Sequence, residues 1–197
     1  MRADYSVVLD ANVLAESSLS DLFLRLAEES RLLAPKWTDE IWEETERTML
    51  NVLKWPQSTV TSRIKAAKEA FPEAMITDYA FYISRCTNDP KDRHILAAAI
   101  RGQVETIVTM NIRHFKTTDL EIWGVSAAHP DAYLKVLYDL DEAVVIQVLN
   151  DMANRRRKPI EQMLSRLSAP APEFVKKVGN SLQLSIPPYD PSRYRNS

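Results

Sequence analysis

Acidic and amide side chains follow the apolar segments that this sequence predicts as buried strands. The apolar run Tyr5 to Leu9 is followed by Asp10, and a second, β-branched run, "VETIVTM", is followed by Asn111. Asp89 and Asp92 stand at the predicted start of a helix. Because the strands of a parallel sheet end at one edge, where the following helices begin, we expect these side chains to converge there.

Clustered carboxylates repel one another and raise one another's pKa values. A hard divalent cation relieves that repulsion, and Mg²⁺ is usually bound by one or two carboxylates together with water. Such an ion polarises a phosphoryl oxygen and lowers the pKa of its bound water. Asp10 and Asn111 are expected at the strand ends and Asp92 at the helix start beside them, and a helix across that edge can add Glu44. The pattern therefore predicts cleavage of phosphodiester bonds.

Each of these residues also has a structural interpretation. Asp10 could form a turn, and Glu44 lies next to Glu43 in a charged helical run where solvent exposure is the default. Asp89 is typical of an N-cap, and an acid such as Asp92 interacts favourably with the dipole of a helix in its first turn. The functional interpretation rests on the order of the segments rather than on any single residue.

The elements that would position these residues alternate between strands and helices. One helix is predicted over "SDLFLRLAEES", with Ser20 as its N-cap, and a second over "APKWTDEIWEETERTML", where Thr38 caps the helix that carries Glu44. A further helix runs from near Pro90 to Gly102, and "LEIWGV" is predicted as a third, short strand. Strands separated by helices indicate an α/β fold with a parallel sheet.

The pattern becomes mostly helical from Pro130 onward. We therefore expect a sheet-containing domain over residues 1–128, a helical extension over 129–180, and a short strand or flexible tail over 181–197.

Composition narrows the classes of protein. The net charge of −2 and the pI of about 6.0 argue against a generally basic nucleic-acid coat, so any contact with nucleic acid must come from local patches or a bound metal. The single cysteine, Cys86, excludes an intramolecular disulfide and a Cys-rich zinc site. No segment approaches the roughly 20 apolar residues of a membrane span. We expect a cytoplasmic protein with no membrane association.

The order of the motifs resembles that of the PIN-domain ribonucleases, in particular the VapC-like toxins of bacterial type II toxin–antitoxin systems. Four segments carry the resemblance: "VVLDANVL", "APKWTDEIWEETERTML", "DPKDRHILAAAI" and "IVTMNIRHF". It implies a PIN-like parallel sheet flanked by helices in residues 1–128, with the C-terminal helical extension after it. It also implies an endoribonuclease that depends on Mg²⁺ or Mn²⁺.

The resemblance assigns roles residue by residue. The acids of the family fall on Asp10, Glu44 and Asp92, and Asp89 matches an additional acid of one branch. Asn111 stands where the family has Asp or Asn. The expected metal ligands are Asp10, Asp92 and Asp89, and the expected catalytic residues are Asp10, Glu44, Asp92 and Asn111.

One residue departs from the family pattern. His114 stands where the family often has Asp, so it contributes no fixed negative charge. Imidazole can ligate Mn²⁺ or, when protonated, bind phosphate. We assign His114 to substrate binding near the metal, together with Arg93, Arg113 and Lys116.

The run "NRRRKP", residues 154–159, concentrates four positive charges at a predicted helix end. Cations at a helix C-terminus interact favourably with the helix dipole, so solvated side chains are the favoured interpretation. Contact with an RNA backbone is the alternative.

The leading hypothesis is an endoribonuclease toxin that acts on transfer, ribosomal or messenger RNA and is paired with an antitoxin protein; a homodimer is left open. A phosphatase of the haloacid dehalogenase type also uses a strand-end Asp, but it needs a second Asp two residues on, where this chain has Asn12. A non-catalytic PIN-like scaffold that binds a protein partner stays open because of His114. A nuclease assay with and without metal separates the three.

Overall fold

The structure is a computed structural model that describes residues 5–190. The chain divides into two compact units, and the division falls between His129 and Pro130. Among residues 5–190, no helix combines the length and the apolar character that crossing a membrane requires.

The N-terminal unit is built on a parallel sheet of four strands in the order β2-β1-β3-β4. The strands are β1 (Ser6–Leu9), β2 (Ala34–Lys36), β3 (Thr106–Val108) and β4 (Ser126–Ala128). The predicted parallel α/β fold is confirmed. Because β1 pairs with β2 on one side and with β3 on the other, the direction of winding reverses between β1 and β3, where a parallel sheet opens a crevice at its carboxyl edge.

Helices flank this sheet and position the polar residues at its edge. They are α1 (Ala11–Ala15), α2 (Ser17–Arg25), α3 (Asp39–Arg47), α4 (Gln57–Ala70), α5 (Ala80–Ile83), α6 (Arg93–Gly102) and α7 (Thr117–Leu120). A π-helical turn follows both α2 and α3, and short 3₁₀ turns cover Pro90–Asp92 and Ile112–His114.

The core of this unit surrounds β1 and α6. Val7, Val8 and Leu9 are fully buried, as expected for a parallel strand that is covered on both faces. Helix α6 buries a run of small residues, Ala97–Ala99, which lets its backbone approach the sheet closely. The start of α6 is therefore held against the ends of β1 and β3, close to the polar residues at this edge of the sheet.

Local signals specify some helix starts and not others. The Thr38 hydroxyl accepts a hydrogen bond from the Ile41 N–H at 3.2 Å, which confirms the predicted cap of α3. The predicted cap at Ser20 is wrong, because α2 begins earlier. The Glu16 carboxylate accepts from the Leu19 N–H at 2.6 Å and caps α2 instead.

Two strands differ from the sequence-based expectation. "LEIWGV" is not a strand: residues Glu121–Trp123 form a 3₁₀ turn, and Gly124, at φ +65°, ends it before β4 begins at Ser126. Strand β2, which contains Pro35, was not predicted. A proline is tolerated there because β2 is an edge strand, where an absent N–H breaks no ladder.

The described part of the C-terminal unit contains four helices: α8 (Pro130–Leu140), α9 (Glu142–Arg155), α10 (Ile160–Leu167) and α11 (Pro172–Ser181). Its core includes Leu134, Leu149, Leu164 and Phe174, all fully buried. Residues 182–190 form neither a helix nor a strand, and residues 191–197 of the predicted tail lie outside the described residues.

Candidate active site

Asp10 lies directly after β1 and is 3% exposed. Its backbone N–H donates to the carbonyl of Val108 at 3.1 Å, which joins the ends of β1 and β3. Its Oδ2 accepts hydrogen bonds from Asn12 Nδ2 and Thr109 Oγ1, each at 2.5 Å. Within the described residues, no side-chain donor reaches Oδ1.

Thr109 links the two strand ends. Its hydroxyl is fully buried, donates to Asp10, and accepts from the Asn111 N–H at 3.0 Å and from Asn12 Nδ2 at 3.2 Å. The Asn12 Oδ1 in turn accepts from the Met110 N–H at 3.0 Å. A small network of hydrogen bonds between side chains of the two segments therefore joins the segment after β1 to the segment after β3.

Asp92 and His114 meet next to this network. Asp92 ends the 3₁₀ turn before α6, and His114 Nδ1 lies 2.7 Å from Asp92 Oδ2. Asp89 caps the same turn, because its Oδ1 accepts from the Lys91 N–H at 3.0 Å. One potential ligand atom from each of Asp89, Asp92 and His114 lies within 4.8 Å of the others.

The hydrogen bonds of His114 fix its tautomer. Arg113 Nε is a donor without acceptor capacity, and it points at His114 Nε2 at 3.2 Å. Nε2 therefore accepts, and in the neutral ring the proton is on Nδ1, where it is donated to Asp92. In this arrangement His114 orients a carboxylate, and neither ring nitrogen has a free lone pair for a metal.

Glu44 comes from α3. Its Oε2 lies 3.5 Å from Nε2 of His94, which is 4% exposed near the start of α6. The neighbouring Glu43 is exposed. Glu44 also forms a long contact of 3.6 Å with Arg47, one helical turn on.

The pKa values show that these groups share one electrostatic environment. Burial raises the pKa of Asp10 most, the hydrogen bond from Thr109 lowers it, and the charges of Asp92 and Glu44 raise it further; the net direction is upward. Burial lowers the pKa of His94, but Glu44, Glu40 and Asp10 raise it, and the net direction is again upward. A negative potential concentrated at the edge of the sheet favours a cation there.

The other residues that the sequence predicted for the site lie at the margin of the acidic cluster. Arg93 Nε donates to the carbonyl of Asn88 at 3.2 Å and so supports the loop before Asp89. Arg113 and Lys116 are exposed. Within residues 5–190, the side-chain amide of Asn111 makes no hydrogen bond, and no hydrogen bond or ion pair joins Lys116 to the acidic cluster.

Sequence reasoning missed three contributors: Thr109, Asn12 and His94. Thr109 and Asn12 each had a signal, since Thr109 directly follows an apolar strand and Asn12 comes three residues after another. Asn12 entered only as an argument against a phosphatase. His94 is buried, as a structural histidine would be, but it lies beside Glu44 rather than in an apolar core.

Comparison with known proteins identifies the class. A family model of the PIN domain matches residues 6–113, more than half of the chain. The chain therefore belongs to the PIN-domain family, and it is VapC-like within it. A second family model, the VapC50 C-terminal domain, matches residues 130–180.

A particular relative agrees with this assignment. The chain is 34% identical over 118 residues to a protein of Mycobacterium tuberculosis (strain ATCC 25618 / H37Rv) described as "Putative ribonuclease VapC50". The alignment covers 56% of this chain and 70% of that protein. No solved structure matches this chain.

Proposed function

We propose that this protein is a divalent-metal-dependent endoribonuclease and the toxin of a toxin–antitoxin pair. One observation carries the proposal: Asp10, Glu44 and Asp92 come from three different parts of the chain, and the charges of Glu44 and Asp92 raise the pKa of Asp10 at the carboxyl edge of the sheet. The ribonuclease description of the relative from Mycobacterium tuberculosis supports the choice of RNA as substrate.

The donor set fits a hard cation. Asp10 and Asp92 would hold the ion, and Asp89 would supply a further oxygen from the same side as Asp92. Carboxylate oxygens suit both Mg²⁺ and Mn²⁺. A bound ion of this kind polarises a phosphoryl oxygen and lowers the pKa of water.

The side chains of the protein supply positioning and proton transfer. Asn12 and Thr109 fix Oδ2 of Asp10, and His114 fixes Oδ2 of Asp92. Glu44 has the most solvent access of the three acids, with 31% of its side chain exposed against 12% for Asp92. Its carboxylate is therefore the best placed to accept a proton from an attacking water molecule.

The exposed cations would orient the substrate. Arg113 is held beside the cluster through His114 and presents its guanidinium to solvent, where it can bind a phosphate. Arg93 keeps the Asp89 loop in place, and Lys116 would contact the RNA farther along the backbone.

The test is cleavage of RNA by the purified chain in EDTA, Mg²⁺ and Mn²⁺, compared with the Asp10→Asn variant. We expect metal-dependent cleavage that falls by roughly 100-fold or more in the variant, because a charge at the reacting site is lost while the shape is kept. Circular dichroism shows whether the variant is folded. Unchanged cleavage by a folded Asp10→Asn chain would contradict the site assignment.

A second candidate is a PIN-like scaffold that binds a protein partner without catalysis. The observation that favours it is His114, which engages Asp92 where the family often supplies another acid. A folded wild-type chain that cleaves no RNA with either metal would support this candidate and contradict the nuclease.

A further inference from the structure

The turn between α9 and α10 displays consecutive positive charges. We define the basic turn as residues 155–158, Arg155, Arg156, Arg157 and Lys158, all of which are exposed. The residues on either side of it, Asn154 and Pro159, are exposed as well. The sequence favoured solvated side chains at a helix end for this run, with RNA contact as the alternative.

The backbone of the basic turn is held in a defined conformation. The Lys158 N–H donates to the carbonyl of Ala153 at 3.0 Å, and the Arg157 N–H donates to that of Asn154 at 2.9 Å. These two bonds are those of a Schellman motif, in which the left-handed position is usually Gly. Arg157 occupies that position at φ +51°. A charged side chain therefore stands where helix termination alone would favour glycine.

Two of the four cations of the turn are not neutralised by the part of the protein that the structure describes. Within residues 5–190, neither Arg157 nor Lys158 forms an ion pair or a side-chain hydrogen bond. The contrast with Lys177 is clear, because that exposed lysine pairs with Asp139 in the same unit. Arg157 and Lys158 are therefore available to an anionic partner.

The distribution of charge between the units points to the nature of that partner. The N-terminal unit has 15 Lys and Arg against 19 Asp and Glu, whereas the C-terminal unit has 10 against 8. A nuclease unit with net negative charge repels a polyanion at long range, so attraction must come from elsewhere in the chain or from metal. In the C-terminal unit, the positive residues are most concentrated at the basic turn, where four are consecutive.

We propose that the basic turn binds the phosphate backbone of the RNA substrate. The inference deepens the proposed function and rests on it. Contacts of Lys and Arg with phosphates are independent of sequence and position an RNA without specifying its bases. An acidic protein is the weaker alternative, because protein interfaces have an apolar core and residues 154–159 expose no large apolar side chain.

The experiment measures binding in the absence of cleavage. The Asp10→Asn chain is titrated against a fluorescein-labelled single-stranded RNA of mixed sequence at several KCl concentrations. A basic-turn pair, Arg157→Gly with Lys158→Gln, is added to that chain. The glycine suits the left-handed backbone, so the fold of the turn is kept.

A matched control removes the same charge elsewhere. Arg31→Gly with Lys54→Gln changes two exposed cations of the N-terminal unit, which also have positive φ values of 56° and 57°. We expect the basic-turn pair to reduce the slope of log K against log salt concentration by about 1.4 and to weaken binding about 20-fold at 0.1 M salt. The control pair should stay within about twofold of the parent.

The outcomes are distinct. An RNA affinity and a salt slope equal to the parent, or equal losses in both pairs, would overturn the proposal and leave an acidic protein as the partner of the turn. In the chain with Asp10 intact, the basic-turn pair should raise KM for RNA and leave kcat unchanged. If the wild-type chain cleaves no RNA but the basic-turn pair still weakens RNA binding, the proposed nuclease activity fails while the RNA contact stands.

Discussion

Glu43 and Glu44 are adjacent in sequence but differ in environment, which makes them a matched pair. Glu44 contacts His94 and raises the pKa of Asp10, whereas Glu43 is exposed. Glu44→Gln should lower kcat/KM for RNA by about 100-fold, because a charged group at the reacting centre is removed without a change of shape. Glu43→Gln should leave kcat/KM within about twofold. The reverse ranking would move the site to the other side of α3.

His94 makes the stability of the metal-free protein depend on pH. Its pKa lies above the ordinary 6.5 in the folded state, so the folded state binds the proton more tightly than the unfolded state. The resulting stability is fully present below the unfolded pKa and is lost as the pH rises through the folded pKa. In EDTA, the free energy of unfolding should therefore fall as the pH is raised from about 6 towards 8.

Urea unfolding at several pH values checks this prediction, with His94→Gln as the comparison. The glutamine can still contact Glu44 but does not titrate. The variant should show a smaller decrease in the free energy of unfolding over the same range. An identical decrease in both proteins would show that His94 does not cause it.

At the scale of elements, Thr109 connects the ends of β1 and β3. Thr109→Val keeps the shape of the side chain but removes the hydroxyl that bonds Asp10, Asn12 and the Asn111 N–H. Leaving buried donors without a partner should lower the free energy of unfolding by about 1–3 kcal/mol. Cleavage should fall about tenfold, because Asp10 loses one of its two orienting side-chain donors.

Thr109→Ser is the control for this prediction. Serine restores the hydroxyl and loses only a methyl group, so cleavage should recover to a large part of the wild-type rate. The measurements are kcat at saturating metal and the midpoint of urea unfolding. If Ser and Val lower kcat equally, packing rather than the hydrogen bond is responsible.

At the scale of the whole molecule, the proposed toxin activity predicts an effect on growth. Expression of the full chain in a bacterial host should slow growth, because cleavage of RNA removes components that the host needs. Expression of Asp10→Asn to the same level should not. Growth unaffected by a chain that is active on RNA in vitro would contradict the toxin assignment but not the nuclease.

The chemistry of the two units could be predicted from the sequence only where it follows from local patterns. The sequence alone located the acids at the predicted carboxyl edge of the sheet, because apolar strands and helix starts are local patterns. His114 was expected near the metal site, but its hydrogen bond with Asp92, 22 positions away, was not predicted. The basic run was visible in the sequence, but the left-handed backbone of Arg157 and the unpaired side chains of Arg157 and Lys158 were not.

The sequence by itself determined the alternation of strands and helices, the cap at Thr38 and the order of the acidic segments, because these follow from hydrophobic periodicity and local hydrogen bonding. The tertiary structure decided what those signals do not encode. Strands β2 and β4 are only three residues long and are stabilised by pairing with their neighbours rather than by their own propensity. Thr109 reaches Asp10 across 99 positions of sequence, and that contact exists only because β1 and β3 pair in register.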